Sequence, residues 1–338
     1  MRGVWYALVI ASIVCLGSCM FSDVAAAPIE IRITTVQMKH QQMGVGIERL
    51  AKYIQANLKD KVRVRTYPAA QLYTGQEEIQ AVIKGEIQMA YVIGAALEPV
   101  DPSLELIKLP FIFPNIDVSY KVLEGPVGKK LFAKLDARGL TILGMVSSGE
   151  VIVSNSKRPV KNIEDFKGLK MRSYGPMGAA TLKALGAISV VTASEETYTA
   201  LQQGIIEGTI TPAVVFLARK YYDVQKYVTG AGMLNAVHVF LTTNKEWWEK
   251  LPPDIRAGIA DAVARLVKEQ RAEIIPEDQK TLEQIAAKGC QVHMLTQSEQ
   301  QVFKKALQSV YTEFGPKIGA DLVREAQQEV EKLSGAKK

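Results

Sequence analysis

Past residue 28 the chain switches repeatedly between two hydrophobic periods, and that alternation leaves few folds open. Ile29 to Val36 alternates apolar and polar residues as a strand does. Gly44 to Leu58 then carries Ile47, Leu50, Ala51, Ile54 and Leu58 at helical spacing. Val62 to Tyr67 reads as a strand, Gln76 to Lys84 as a helix and Ile87 to Val92 as a third strand. Leu140 to Val146 and Val151 to Ser154 are strands joined at Ser147-Ser-Gly149, and Leu169 to Ser173, Gly178 to Leu185, Ile188 to Val191 and Ser194 to Gln203 continue the pattern. Repeated strand–helix–strand units bury both faces of a sheet, so an α/β fold with largely parallel sheets and helices on each side is expected. With 338 residues the chain exceeds the usual size of one core, which points to two lobes.

The longest helical stretch runs from Pro253 to about Lys288, with Ile255, Ile259, Val263 and Leu266 on one face. Pro252 and Pro253 suit a helix start, whereas Pro276 removes a backbone donor and is expected to kink or interrupt the helix.

The N-terminus has the anatomy of an export signal. Arg2 precedes an apolar run from Val4 to Leu16, and small residues follow up to Ala27. That run is shorter than the roughly 20 apolar residues a bilayer-spanning helix needs. Two processing routes are open. Cleavage after Val24-Ala-Ala26 leaves a periplasmic protein, and Leu16-Gly-Ser-Cys19 is an imperfect lipobox that would leave a lipid anchor at Cys19. The first is favoured because glycine fits the lipobox poorly. Cys290 is then the one ordinary cysteine of the mature chain, which excludes an internal disulfide and suits a small buried hydrophobe. Net charge is +6, from 41 basic against 35 acidic residues, and it is spread out. No basic run with interleaved aromatics tracks a nucleic acid.

One segment places a cation where a small anion can be caught. In Phe166-Lys-Gly-Leu-Lys-Met-Arg172 the alternation of Leu169 and Met171 leaves Arg172 near a strand end, and a guanidinium there offers two parallel donors to one carboxylate. The same residue could instead make a surface ion pair of little worth. About thirty residues on comes Glu196-Thr-Tyr198-Thr-Ala-Leu-Gln-Gln-Gly204-Ile-Ile-Glu-Gly208. Upstream stand Tyr67-Pro-Ala-Ala-Gln-Leu72, Glu78 to Ala90 and Leu109-Pro-Phe-Ile-Phe113, and downstream Asn244-Lys-Glu-Trp-Trp248 and Leu251-Pro-Pro-Asp254. In this order and spacing the segments resemble the DctP-like solute-binding proteins of tripartite ATP-independent periplasmic (TRAP) transporters over nearly all of the exported chain.

The resemblance implies a two-lobed, type II-like periplasmic-binding-protein fold with hinged lobes and a long helix spanning both. It implies a signal peptide over 1–26, a first lobe over 29–149 plus 237–275, and a second over 150–236 plus 276–333. It also implies that Arg172 holds the ligand's carboxylate, that the ligand is a small organic acid, and that TRAP membrane permease subunits are the partner. Thr211 stands where many members have a ligand-bonding asparagine, and Val151 where many have a second arginine. Loss of that second cation favours a monocarboxylate. Tyr174 would share a side with Arg172 if the strand persists. Gln37, His40 and Gly94 lie in loops after the first and third strands, where ligands of such sheets collect. Tyr198 and Phe216 could stack on a ring, but each follows a helical stripe, which favours core packing. His238, in an apolar stretch, reads as structural.

Enzyme signatures are scarce, and no cofactor is expected. Cys290-Gln-Val-His293 is an isolated pair, Gly44-Val-Gly46 lacks a third glycine and an acidic partner, and there is no Gly-x-Ser-x-Gly elbow. Two other readings share the cleft: a receptor for a different importer or a sensor, and a secreted enzyme.

Overall fold

The computed structural model describes residues 27–173, 175–193, 196–232, 234 and 237–335. The leader with both its processing sites, and Tyr174, lie outside the described residues. The chain begins β1 (Ile29–Thr34), α1 (Gln42–Leu58), β2 (Val62–Tyr67), α2 (Gly75–Ile83) and β3 (Met89–Ile93). A 3-10 segment, Pro102–Lys108, leads to α3 (Ile116–Glu124), α4 (Pro126–Asp136) and β4 (Leu140–Ser147). There follow β5 (Val151–Asn155), β6 (Lys170–Ser173), α5 (Gly175–Ala184), β7 (Ile188–Val191), α6 (Thr197–Gln202), β8 (Gly208–Pro212), α7 (Ala213–Ala218) and β9 (Tyr227–Gly230). Next come β10 (His238–Asn244), α8 (Lys245–Lys250) and α9 (Pro253–Ala287), and the described chain closes with β11 (Gln291–Met294), α10 (Gln297–Ala306), α11 (Gln308–Ile318) and α12 (Ala320–Gly335).

Two sheets organise these elements. The first has the order β2-β1-β3-β10-β4 and the second β11-β9-β5-β8-β6-β7. Each sheet is parallel except for one strand: β10 runs against β3 and β4, and β5 runs against β8 and β9. Both exceptions have one cause. The chain leaves β4 of the first sheet to enter β5 of the second, and later leaves β9 to return as β10. A strand entering from the neighbouring sheet starts at the end where its parallel neighbours finish, so it must run against them. The register bears this out, with His238 opposite Ser147 in the first sheet and Val151 opposite Pro212 in the second. The carboxyl ends of β1, β3 and β4 therefore face those of β6, β8 and β9.

The helix α9 makes the third crossing, packing on α1 of the first lobe and α7 of the second. Its Ile255, Ile259, Val263 and Leu266 are buried against Ile31, Ile33, Ile47, Leu50 and Leu241. The expected break at Pro276 does not occur, and α9 is continuous over 35 residues. Pro276 and Ala272, whose carbonyl loses its intrahelical partner, are both exposed, so water replaces the missing bond at little cost. Arg271 fixes the helix to the first lobe by stacking over Tyr120 at 3.8 Å and donating to the Met145 carbonyl from Nε and Nη2.

The C-terminal helices pack against elements from both sheets. Phe303, Val310, Phe314 and Ile318 share one core with Leu104, Ile107 and Leu109 of the first lobe and with Phe166, Met171 and Leu182 of the second. The helix α12 lies on α3 and α4. The reason is the apolar face of α12: Leu322, Val323 and Ala326 are buried.

Candidate functional site

The alternation of β6 sets the direction of its arginine. Leu169 and Met171 are buried, and Arg172 takes the opposite side of the strand and is half-buried. Its Nε donates to the Thr192 carbonyl at 3.1 Å, which holds the guanidinium at the end of β7, beside Val190 in register. One strand over, Thr211 is 7% exposed near the end of β8, and Val151 is buried opposite Pro212 at the start of β5. Arg172, Thr211 and Val151 thus lie toward the same end of the second sheet, on strands β6, β8 and β5.

The first lobe contributes the loop after β1. Gln37 Oε1 accepts the Met43 backbone N–H at 2.7 Å and so helps start α1, and His40 is exposed beyond it. Both line a cavity of about 590 Å³ with Gln42, Ser148, Gly149 and Asp278, and its far wall is α7. The cavity brings Gln37 and His40 together but does not include Arg172 or Thr211. Two expected contacts are corrected. Phe216 is fully buried and meets Tyr221 edge-on at 6.0 Å, because its helical stripe faces the core of the second lobe. Gly94 is buried as well: a Cβ there would stand 3.0 Å from the Phe240 ring and 3.3 Å from the His238 carbonyl, so it serves the close approach of β10 rather than the open cleft. Tyr198 is half-buried and leans on the same core as Phe216. His238 is structural, with Nε2 3.0 Å from the Ser119 hydroxyl. Cys290 is buried and free, and burial pushes its thiol up.

Sequence reasoning missed two half-buried charge clusters. At the β4-to-β5 crossing, Asp278 Oδ2 accepts the Glu150 N–H at 2.9 Å, and Glu150 Oε1 accepts the Gly232 N–H at 3.1 Å. These bonds tie all three crossings together. Burial pushes the Glu150 carboxyl up to about 7 and the Asp278 carboxyl up to about 6. Gly149 has φ +84, and a Cβ on it would fall 2.2 Å from Asp278 Oδ1, so glycine is required there. The second cluster is Lys108 with Glu98, whose nearest atoms are 2.7 Å apart. A charge inside the apolar run Leu104-Glu-Leu-Ile-Lys-Leu109 was the available signal.

Two facing sheets, three crossings and a cation at the strand ends are the features of a two-lobed periplasmic solute receptor. The chain belongs to the bacterial extracellular solute-binding protein family 7, the DctP family, which it matches over residues 33–317. It is 32% identical over 303 residues to the C4-dicarboxylate-binding periplasmic protein DctP of Rhodobacter capsulatus, covering 88% of this chain and 90% of that one. Among solved structures it resembles a TRAP periplasmic solute-binding protein from Ochrobactrum anthropi whose C-terminus is bound in its ligand-binding pocket. That match has a TM-score of 0.86 and 27% identity, over 91% of this chain and 97% of the other. It also resembles one from Ralstonia eutropha H16 holding (S)-2-acetolactate, with a TM-score of 0.82 and 30% identity, over 90% and 99%. Among the described residues no helix is long and apolar enough to cross a membrane.

Proposed function

We propose that this chain is the periplasmic receptor of a TRAP transporter, that it closes its two lobes over a small monocarboxylate, and that it passes the acid to membrane permease subunits. The observation that carries the reading is Arg172, a half-buried guanidinium oriented through Nε by the Thr192 carbonyl at the mouth of the second sheet. A carboxylate would be met end-on by Nη1 and Nη2, the paired geometry that a lysine cannot offer. Thr211, on the adjacent strand, would give the same ligand one further bond.

Val151 supports a single carboxylate. It is apolar and buried, and the resemblance puts it where many members have a second arginine. Relatives named for C4-dicarboxylates and a relative holding acetolactate bracket the choice between two acid groups and one. The moving bodies would be 29–149 with 237–275 and α12, against 150–236 with 276 to about 306. Closure follows only if the acid gains contacts with both lobes at once.

A thermal-shift screen over lactate, pyruvate, 2-hydroxybutyrate, succinate and malate tests the reading. A ligand at a hundred times its Kd stabilises the folded state by about 2.7 kcal/mol. The monocarboxylates should give the larger shifts, and a clear preference for succinate or malate would contradict the inference from Val151.

A further inference from the structure

The segment that follows the third crossing clamps the start of the second. The edge strand β11 pairs with β9, and Met294 stands opposite Gly230 in register. Just beyond, the Leu295 N–H donates to the Gly230 carbonyl at 3.1 Å, and Gln300 Nε2 donates to the Leu295 carbonyl at 3.2 Å. Gly230 and Gly232 each receive a side chain from this segment. A Cβ on Gly230 would collide with Met294 Sδ and Cε, and one on Gly232 with Gln300 Nε2. The Met294 thioether therefore lies directly on the backbone where the chain leaves β9 for the first sheet.

Two further observations make this contact open to chemistry. Met294 is 48% exposed, whereas Met43, Met89, Met145, Met171 and Met177 are buried; among the described methionines only Met38 is exposed as well. The polar groups beside the thioether are already engaged. Glu150 Oε1, 3.7 Å from the same Cβ position on Gly230, accepts the Gly232 N–H at 3.1 Å, and the Ala231 N–H donates to the Val151 carbonyl at 3.3 Å. An apolar sulfur suits this position because neither N–H is left to serve an acceptor.

We propose that Met294 is an oxidation site acting on the second crossing: a hydroperoxide converts its thioether to the sulfoxide, and the sulfoxide releases the clamp on Gly230. An S–O bond forms as the peroxide O–O bond breaks. The proton of the transferred oxygen passes to the leaving oxygen, which departs as water or an alcohol. Sulfur is oxidised by two electrons and the peroxide is reduced by two. The product is polar where the thioether was apolar. With the Ala231 and Gly232 N–H groups spent, its new oxygen finds no donor at Gly230 and turns to water, and the side chain leaves the backbone it covered. The proposal is independent of which acid the cleft binds.

Treating the purified protein with hydrogen peroxide tests the proposal, read by peptide mass spectrometry, thermal melting and amide hydrogen exchange. Met294 and Met38 should gain an oxygen before any of the buried methionines. The oxidised wild type should lose about 2–4 °C in Tm, and its Ala231 and Gly232 amides should exchange about fivefold faster. Met294→Leu, a swap of similar volume, should melt like the untreated wild type and show neither change on treatment. Met38→Leu should respond as the wild type does, and methionine sulfoxide reductases should restore the treated protein. Met294→Gln sets a polar group on Gly230 without any oxidant and should reproduce the loss in untreated protein. The proposal is overturned if Met294 resists peroxide as the buried methionines do, or if treated wild type and treated Met294→Leu change alike. It is equally overturned if Met294 is oxidised and both the Tm and the two amides stay unchanged.

Discussion

The wall of the cleft that holds Arg172 and the hinge that holds Glu150 and Asp278 treat charge in opposite ways. At the wall a guanidinium is kept half-buried at the open end of a sheet, and its Nε donates to the Thr192 carbonyl. At the crossings two carboxyls are half-buried, and desolvation raises both, Glu150 to about 7 and Asp278 to about 6. Under the proposed function, the difference follows from what each region would do. A site that must neutralise an incoming anion needs a cation displayed at a fixed angle. A joint made of three chain crossings needs backbone groups satisfied, and the hinge carboxyls do that by accepting the Glu150 and Gly232 N–H groups.

The comparison breaks first at the wall. Arg172→Ala should weaken acid binding by about 2–5 kcal/mol, roughly thirtyfold to several-thousandfold, with little change in urea stability. Equal losses in binding and stability would make Arg172 a structural residue like those of the hinge.

The hinge makes the complementary prediction, in stability and with a definite sign. Glu150 ordinarily titrates near 4.5 and is pushed up to about 7 in the folded chain. Below its ordinary value both folded and unfolded chains are protonated, so the group adds no pH dependence. As pH rises from 4.5 to about 7 the unfolded chain releases the proton first, and folding stability falls; above about 7 the loss is complete. Asp278 behaves likewise between 3.8 and about 6. Glu150→Gln removes the ionisation while keeping an acceptor for Gly232. The variant should gain up to about 3 kcal/mol over the wild type near pH 8 and show a shallower fall between about pH 5 and 7 in urea melts. An unchanged pH profile would mean that the carboxyl is not the buried proton holder described here.

The smallest expected effect is at Gly149. A methyl group there meets Asp278 Oδ1 and must adopt φ +84, so Gly149→Ala should cost about 1–3 kcal/mol in denaturant stability. The loss should shrink in an Asp278→Ala background, since the obstructing oxygen is gone. Full persistence of the loss there would assign it to backbone strain alone.

How much of this was legible in the sequence depended on whether the physics is local. Period-2 and period-3.6 patterns over 29–92 gave the strands and helices to within a few residues, and the alternation in 169–173 put Arg172 on the open side of β6. The antiparallel direction of β5 and β10 was not legible, because it follows from sheet-to-sheet crossings that no window of residues contains. Phe216 fitted both a cleft and a core, and only the packing of α7 against Tyr221 decides for the core. The charge clusters were missed for a related reason. Glu98, Glu150 and Asp278 look like surface charges in sequence, only the apolar run around Lys108 signals otherwise, and their partial burial arises from residues far away in the chain.

The most direct test is a crystal structure with the best-binding acid of the panel. Both carboxylate oxygens should lie about 3 Å from the Arg172 guanidinium nitrogens, with the rest of the acid touching the first lobe. An acid bound elsewhere, or with its carboxylate turned away from Arg172, would contradict the account.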